Sequence, residues 1–237
     1  MRGFASACLF VLLGASLAEA SPLTVVNVAF PGVNCKFDTD CTVTVNDSTA
    51  NFTLPGATGN AFLQSRTWPV GQPGTVGAGK YAYLYRLDLT QLTGLTAAPC
   101  VTQLKLTFGP VVSLDYDGNG SADQVFVATH GGLGSVAPSS VDKTGNTVTF
   151  NFNTPVCSGS SPGHGQTSYF FGLASTRAPH AVTATVQATL GGALSLNARA
   201  PLILKLGPGV HPTPHSPTPG SIPAPHKPAP GTKPPGR

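Results

Sequence analysis

The chain has 237 residues, only 9% of them charged, with 28 glycines, 23 prolines and a net charge of +4. So little charge among so many turn formers points away from a helical enzyme and toward a β-rich exported domain. Nine Lys/Arg balance eight Asp between Ser21 and Leu206, so this part lacks the basic stripe that nucleic-acid binding needs, and no glutamate follows Glu19.

The first twenty residues read as a signal peptide. Arg2 supplies the positive start. An apolar run from Phe4 to Leu17 is too short to span a bilayer, and Ala18-Glu19-Ala20 has the small-x-small cleavage pattern. The mature chain is expected to begin at Ser21 and to be secreted, periplasmic or cell-surface. No later stretch is long and apolar enough for a transmembrane segment. Cys8 leaves with the signal, and Cys35, Cys41, Cys100 and Cys157 remain. An even number in an exported chain argues for two disulfides. Of the three pairings, a short, easily closed loop favours Cys35–Cys41, which leaves Cys100–Cys157. The four do not form CxxC pairs, so thiolate metal binding is the weaker reading.

Period-2 alternation recurs from here on. Cys41, Val43 and Val45 alternate with Thr42, Thr44 and Asn46. Trp68, the one tryptophan, precedes Pro69 at a strand end and could plug the fold or serve a ligand. Tyr81, Tyr83 and Tyr85 share one strand face that runs on into Leu87 and Leu89. Such a row is either a stacking platform for sugar rings or, as the leucines favour, the core-facing side, with Lys80, Arg86 and Asp88 facing outward. Leu104, Leu106 and Phe108 alternate with polar residues, as do Val148, Phe150 and Phe152, and the habit continues through 181–190 and 193–197. Thr144-Gly145-Asn146 and Gly191-Gly192 read as hairpin turns, and Pro31-Gly32 and Pro55-Gly56 as further turns. The expectation is an all-β, antiparallel β-sandwich over residues 21–206, jelly-roll-like, with ten to twelve strands. The stretch 62–67 together with 83–89 resembles segments of exported bacterial proteins, a likeness that implies no activity.

One segment carries chemistry. In Asp115-Tyr116-Asp117-Gly118-Asn119-Gly120-Ser121-Ala122-Asp123, side-chain oxygens fall at loop positions one, three, five and nine, and glycine sits at six. A hard cation such as Ca²⁺ takes six to eight oxygens, and alternate residues of a tightly wound loop can supply them. The Ser121 carbonyl would add another. This loop resembles those of dockerins, thrombospondin type 3 repeats and FG-GAP repeats. That resemblance implies a calcium site at Asp115, Asp117, Asn119, Ser121 and Asp123, followed by a strand at Val125–Ala128. It departs from an EF-hand at position twelve, where Phe126 replaces the bidentate glutamate, so a further carboxylate from Asp88 or Asp142 is expected to help.

Other signals weigh less. Gly159-Ser160-Ser161-Pro162-Gly163 matches G-x-S-x-G, but Pro162 among Gly and Ser makes a loop rather than a nucleophile elbow. His130, His164 and His180 read as scattered loop residues. Asn46, Asn51 and Asn119 begin glycosylation sequons that matter only on a eukaryotic secretory route. About a third of residues 208–237 are proline, so 207–237 is expected to be a disordered or polyproline-II tail. Together these features suggest a non-enzymatic binding or structural module, stabilised by a calcium loop, that meets an envelope or extracellular polysaccharide or protein. The alternative is a glycan-active hydrolase using paired aspartates such as Asp38 and Asp40.

Overall fold

The computed structural model describes residues 19–203. The expected signal segment lies outside these apart from Glu19 and Ala20, and the expected tail lies outside them entirely. The described chain is all-β: β1 (Ser21–Pro22), β2 (Val25–Ala29), β3 (Asn46–Phe52), β4 (Ala57–Thr67), β5 (Tyr81–Gly94), β6 (Cys100–Thr107), β7 (Val125–His130), β8 (Ser140–Thr144), β9 (Thr147–Cys157), β10 (Phe170–Ser175), β11 (Pro179–Ala188) and β12 (Ala193–Pro201). Two six-stranded sheets form a sandwich, ordered β1-β8-β9-β6-β11-β12 and β2-β7-β10-β5-β4-β3. We call them the first and second sheet. Every pairing between the strands is antiparallel except β2 with β7.

The alternating residues build the inter-sheet core. Leu104, Val148, Phe150 and Val186 of the first sheet meet Leu63, Tyr83, Tyr85, Leu87, Val127 and Phe171 of the second. Phe171 lies 4.6 Å from Phe150 and 5.7 Å from Phe152 between ring centroids. Fully burying each such side chain contributes about 1.5–3 kcal/mol. The two expected hairpins form as read, with Thr144 opposite Thr147 and Gln187 opposite Ala193. Both expected disulfides are present. Cys100–Cys157 joins directly opposed residues of β6 and β9, and Cys35–Cys41 closes a six-residue separation.

The second sheet has a further layer on its outer face. Val33, Phe37, Trp68, Leu114 and Tyr116, all from connecting segments, pack onto Ala82, Leu84, Phe126, Ala128, Phe170 and Ala174. Of the run Cys41–Asn46, expected as a strand, only Asn46 is paired, and residues 42–45 belong to this covering. The disulfide pulls its start toward Cys35, Val43 packs against the outer apolar cluster, and the ladder begins only at Asn46. Gly77 lets the 68–80 segment lie flat on this layer, since a Cβ there would sit 2.5 Å from the Phe37 ring and 2.7 Å from the Lys36 carbonyl oxygen.

The tyrosine row takes the core-facing reading that its leucines favour, and Trp68 the plug. Tyr83 and Tyr85 are wholly enclosed between the sheets, where their hydroxyls donate to the carbonyls of Arg177 (2.5 Å) and Arg199 (2.7 Å). Tyr81, half-buried, packs against the same core, so the row offers no open stacking surface. Trp68 is 2% exposed. Phe37 meets it edge-on at 5.2 Å and Phe126 stacks at 6.3 Å, so it plugs the outer layer and presents no face to a sugar. Arg86 and Asp88 do point away from the core, yet both are buried. Arg86 Nε donates to Gln64 Oε1 (3.1 Å), its guanidinium lies 3.5 Å from Asp88, and its carbon sits over the rings of Phe62 and Phe170.

Candidate metal centre

Leu114 and Asp123 pin the ends of the aspartate loop to each other. Each donates its N–H to the other's carbonyl, at 2.8 and 2.9 Å. Tyr116 anchors the loop by burying its ring 4.8 Å from that of Phe126. Between these points the carboxylates organise the backbone. Asp115 accepts the N–H groups of Gly118 (2.7 Å) and Gly120 (3.1 Å) on its two oxygens. Asp117 accepts the Asn119 N–H (3.1 Å) and side-chain amide (2.9 Å), and Asn119 Oδ1 accepts the Ser121 N–H (2.7 Å). Gly118 and Gly120 have φ of 86° and 89°, a left-handed conformation that glycine adopts without penalty.

Asp123 is the exception within this network. Its Oδ2 is sealed from solvent and has no hydrogen-bond partner among the described residues. Lost hydration, then the charges of Asp117 and Asp115, hold its carboxyl above the ordinary carboxylate range. Desolvation also pulls Asp115 upward, but the Gly118 and Gly120 N–H groups and the Lys36 ammonium outweigh it and hold that carboxyl low. A buried carboxylate oxygen without a donor, within the field of two further carboxylates, is an environment that a cation would relieve.

In the arrangement described, no three His, Cys, Asp or Glu side chains among the described residues are grouped closely enough to hold an ion. Asp115 spends both oxygens on backbone donors and Asp117 spends both on Asn119, so a cation would have to break these bonds to draw the set together. Neither expected outside carboxylate assists. Asp88 is committed to Arg86 and to the Thr90 N–H and hydroxyl, and Asp142 to the Asn151 side-chain amide. Phe126, at position twelve, is core.

The loop borders an open cleft of about 820 Å³, whose walls include Asn27, Lys36, Thr39, Thr75, Asp117 and His130. Lys36 reaches it from the disulfide loop, and a Cβ on Gly118 would stand 3.2 Å from the Lys36 Nζ. Neither this approach nor the placing of His130 and Asp117 on the walls of one cleft was visible in the sequence, because the segments are far apart along the chain and share no motif. The remaining candidates stay separate. Ser161 Oγ lies 2.9 Å from His164 Nδ1, but both are on an exposed loop with no helix behind them. Asp38 accepts the Asp40 N–H and the Gln72 side-chain amide, so it stitches a turn instead of facing a second carboxyl across a cleft.

No protein family matches the chain. No curated protein and no solved structure matches it either.

Proposed function

We propose that this chain is an exported, non-catalytic binding or structural module whose Asp115–Asp123 loop is rigidified by one calcium ion. The observation that carries the reading is the enclosed, donor-less Oδ2 of Asp123 beside Asp115 and Asp117. Those three carboxylates, the Asn119 side chain and the Ser121 carbonyl would hold the ion. Without a bidentate glutamate, affinity falls in the weak extracellular range, about 10⁻⁴–10⁻³ M. Two disulfides support an oxidising compartment, and among the described residues no helix is long and apolar enough to cross a membrane. The partner is an envelope or extracellular polysaccharide or protein.

The test is calorimetric calcium titration of the purified protein, with thermal melts in calcium and in chelator. One saturable site is expected. At tenfold excess over Kd it adds about 1.4 kcal/mol, a rise in Tm of about 3–6 °C. Asp117→Ala should abolish both. A melt that chelator leaves unchanged, with no binding heat, sinks the reading.

A further inference from the structure

We propose that the pocket between Trp68 and Leu133 seats one large apolar side chain of an uncharged peptide segment, which makes a protein rather than a polysaccharide the partner of this module. The inference rests on the binding-module reading above and not on its calcium ion.

The pocket measures about 420 Å³, within the range of small-ligand sites, about 300–1,000 Å³. Trp68 and Phe170, 2% and 4% exposed, lie at its base, and Phe30, Val43, Val45 and Leu133 complete its apolar wall. Val45 and Leu133 are 38% and 61% exposed. The loop holds Leu133 in that position. A Cβ on Gly131 would sit 2.4 Å from the Phe30 carbonyl oxygen, and one on Gly134 would sit 2.3 Å from that of Ser168, so the chain on both sides of Leu133 lies directly on neighbouring backbone. Both glycines have positive φ, 70° and 123°, which leaves little room for a substitute. Exposed apolar side chains gathered around an apolar pocket mark an interaction site.

The polar groups of the wall select the charge and hydrogen bonding of the occupant. Arg66 Nε and Nη2 donate to the two oxygens of Asp47, at 2.8 and 3.0 Å, and the guanidinium carbon rests 4.7 Å from the centre of the Phe170 ring. Asp47 already neutralises this cation, so an anionic ligand gains little from it. Nη1 has no partner among the described residues and can donate to a neutral carbonyl. Two further wall residues hold sealed polar atoms without a partner among the described residues: Trp68 Nε1, a donor, and Asn34 Oδ1, an acceptor. Such atoms are costly to leave unpaired, and a ligand that pairs either one recovers part of that cost. A peptide bond brings an acceptor and a donor together beside the side chain that fills the apolar space. An acyl chain lacks the donor, and a sugar lacks the large apolar group.

Trp68 is the one tryptophan of the chain, so its fluorescence reports on this pocket. The experiment titrates the purified full chain with N-acetyl-leucinamide, with its anionic counterpart N-acetyl-leucine, and with N-acetylglycinamide, which keeps the amides and lacks the apolar group. N-acetyl-leucinamide should shift the Trp68 emission saturably, with a Kd of about 1–10 mM for a ligand of about a dozen non-hydrogen atoms. N-acetylglycinamide should bind at least about tenfold more weakly, and N-acetyl-leucine no more tightly than the neutral amide. Leu133→Asn alters a side chain that is mostly in solvent, so its Tm should match wild type while its affinity for N-acetyl-leucinamide falls about three- to tenfold. No shift with N-acetyl-leucinamide, equal binding of N-acetylglycinamide, or an unchanged Kd in Leu133→Asn overturns the pocket. Tighter binding of N-acetyl-leucine overturns the neutral-peptide assignment in favour of an anion. Each of these failures leaves the calcium reading to its own titration.

Discussion

The two apolar layers of this molecule are built on different plans. Between the sheets, Phe150, Phe171, Tyr85 and their neighbours come from strands, on every second residue, and the ladder holds each one. On the outer face of the second sheet, Phe37, Trp68, Leu114 and Tyr116 come from connecting segments, held by a short disulfide and by carboxylate-to-backbone bonds. A strand core draws its order from many cooperative hydrogen bonds, whereas a loop-built layer depends on a few local pins. The candidate metal centre belongs to the second kind, and a cation there would act as one more pin. Loops on a rigid scaffold are also where binding residues concentrate.

The largest expected difference comes from cavities. Phe171→Ala, in the inter-sheet core, should cost about 3–5 kcal/mol in denaturant unfolding and lower the melting of the whole domain. Next come the disulfides. In the chain-entropy model, removing Cys100–Cys157 by paired alanine substitutions should cost about 4 kcal/mol. Removing Cys35–Cys41 should cost about 2 kcal/mol, because its loop is so much shorter. If the outer layer is a separate weaker unit, the second loss should also raise amide exchange over 30–45 and 68–80 without raising it in β5 and β9. Equal exchange in both regions would erase the distinction drawn here.

The smallest effect is alkaline. Burial, then the neighbouring Tyr83, push the Tyr85 phenol well above its ordinary value of 10.0. Its proton is also needed for the bond to the Arg199 carbonyl. A group whose folded pKa is raised contributes stability that is full below the unfolded pKa and is lost as pH climbs past it. Stability should therefore fall above pH 10 by about 1.4 kcal/mol per pH unit for each such tyrosine. Tyr85→Phe should shallow that slope by one group, as read from melts between pH 9 and 11. An unchanged slope would mean that Tyr85 does not control it.

Much of the inner core was legible because alternation is local. Leu104-x-Leu106-x-Phe108 and Val148-x-Phe150-x-Phe152 state their own face, and the leucines after Tyr85 tipped the tyrosine row inward. The hairpins at Gly145 and Gly191 were equally local, since glycine at positive φ marks a turn within a few residues. The aspartate loop was visible as a spacing, and the backbone took the tight turns that this spacing implies.

The outer layer was not legible. Trp68 looked equally suited to a plug or a binding face, and Cys41–Val45 looked like a strand. Arg86 and Asp88 pointed outward as read, but nothing in the chain announced that they would be buried there. From its own residues the chain thus determined an all-β sandwich, its inward faces, two disulfides and one oxygen-rich loop. Only the tertiary structure decided which strands share a sheet, that loops would cover one face, and that Lys36 would stand beside Gly118. The reason is range: side-chain periodicity and turn chemistry act over a few residues, whereas a face is covered, or a charge is met, by segments that only the closed fold brings together.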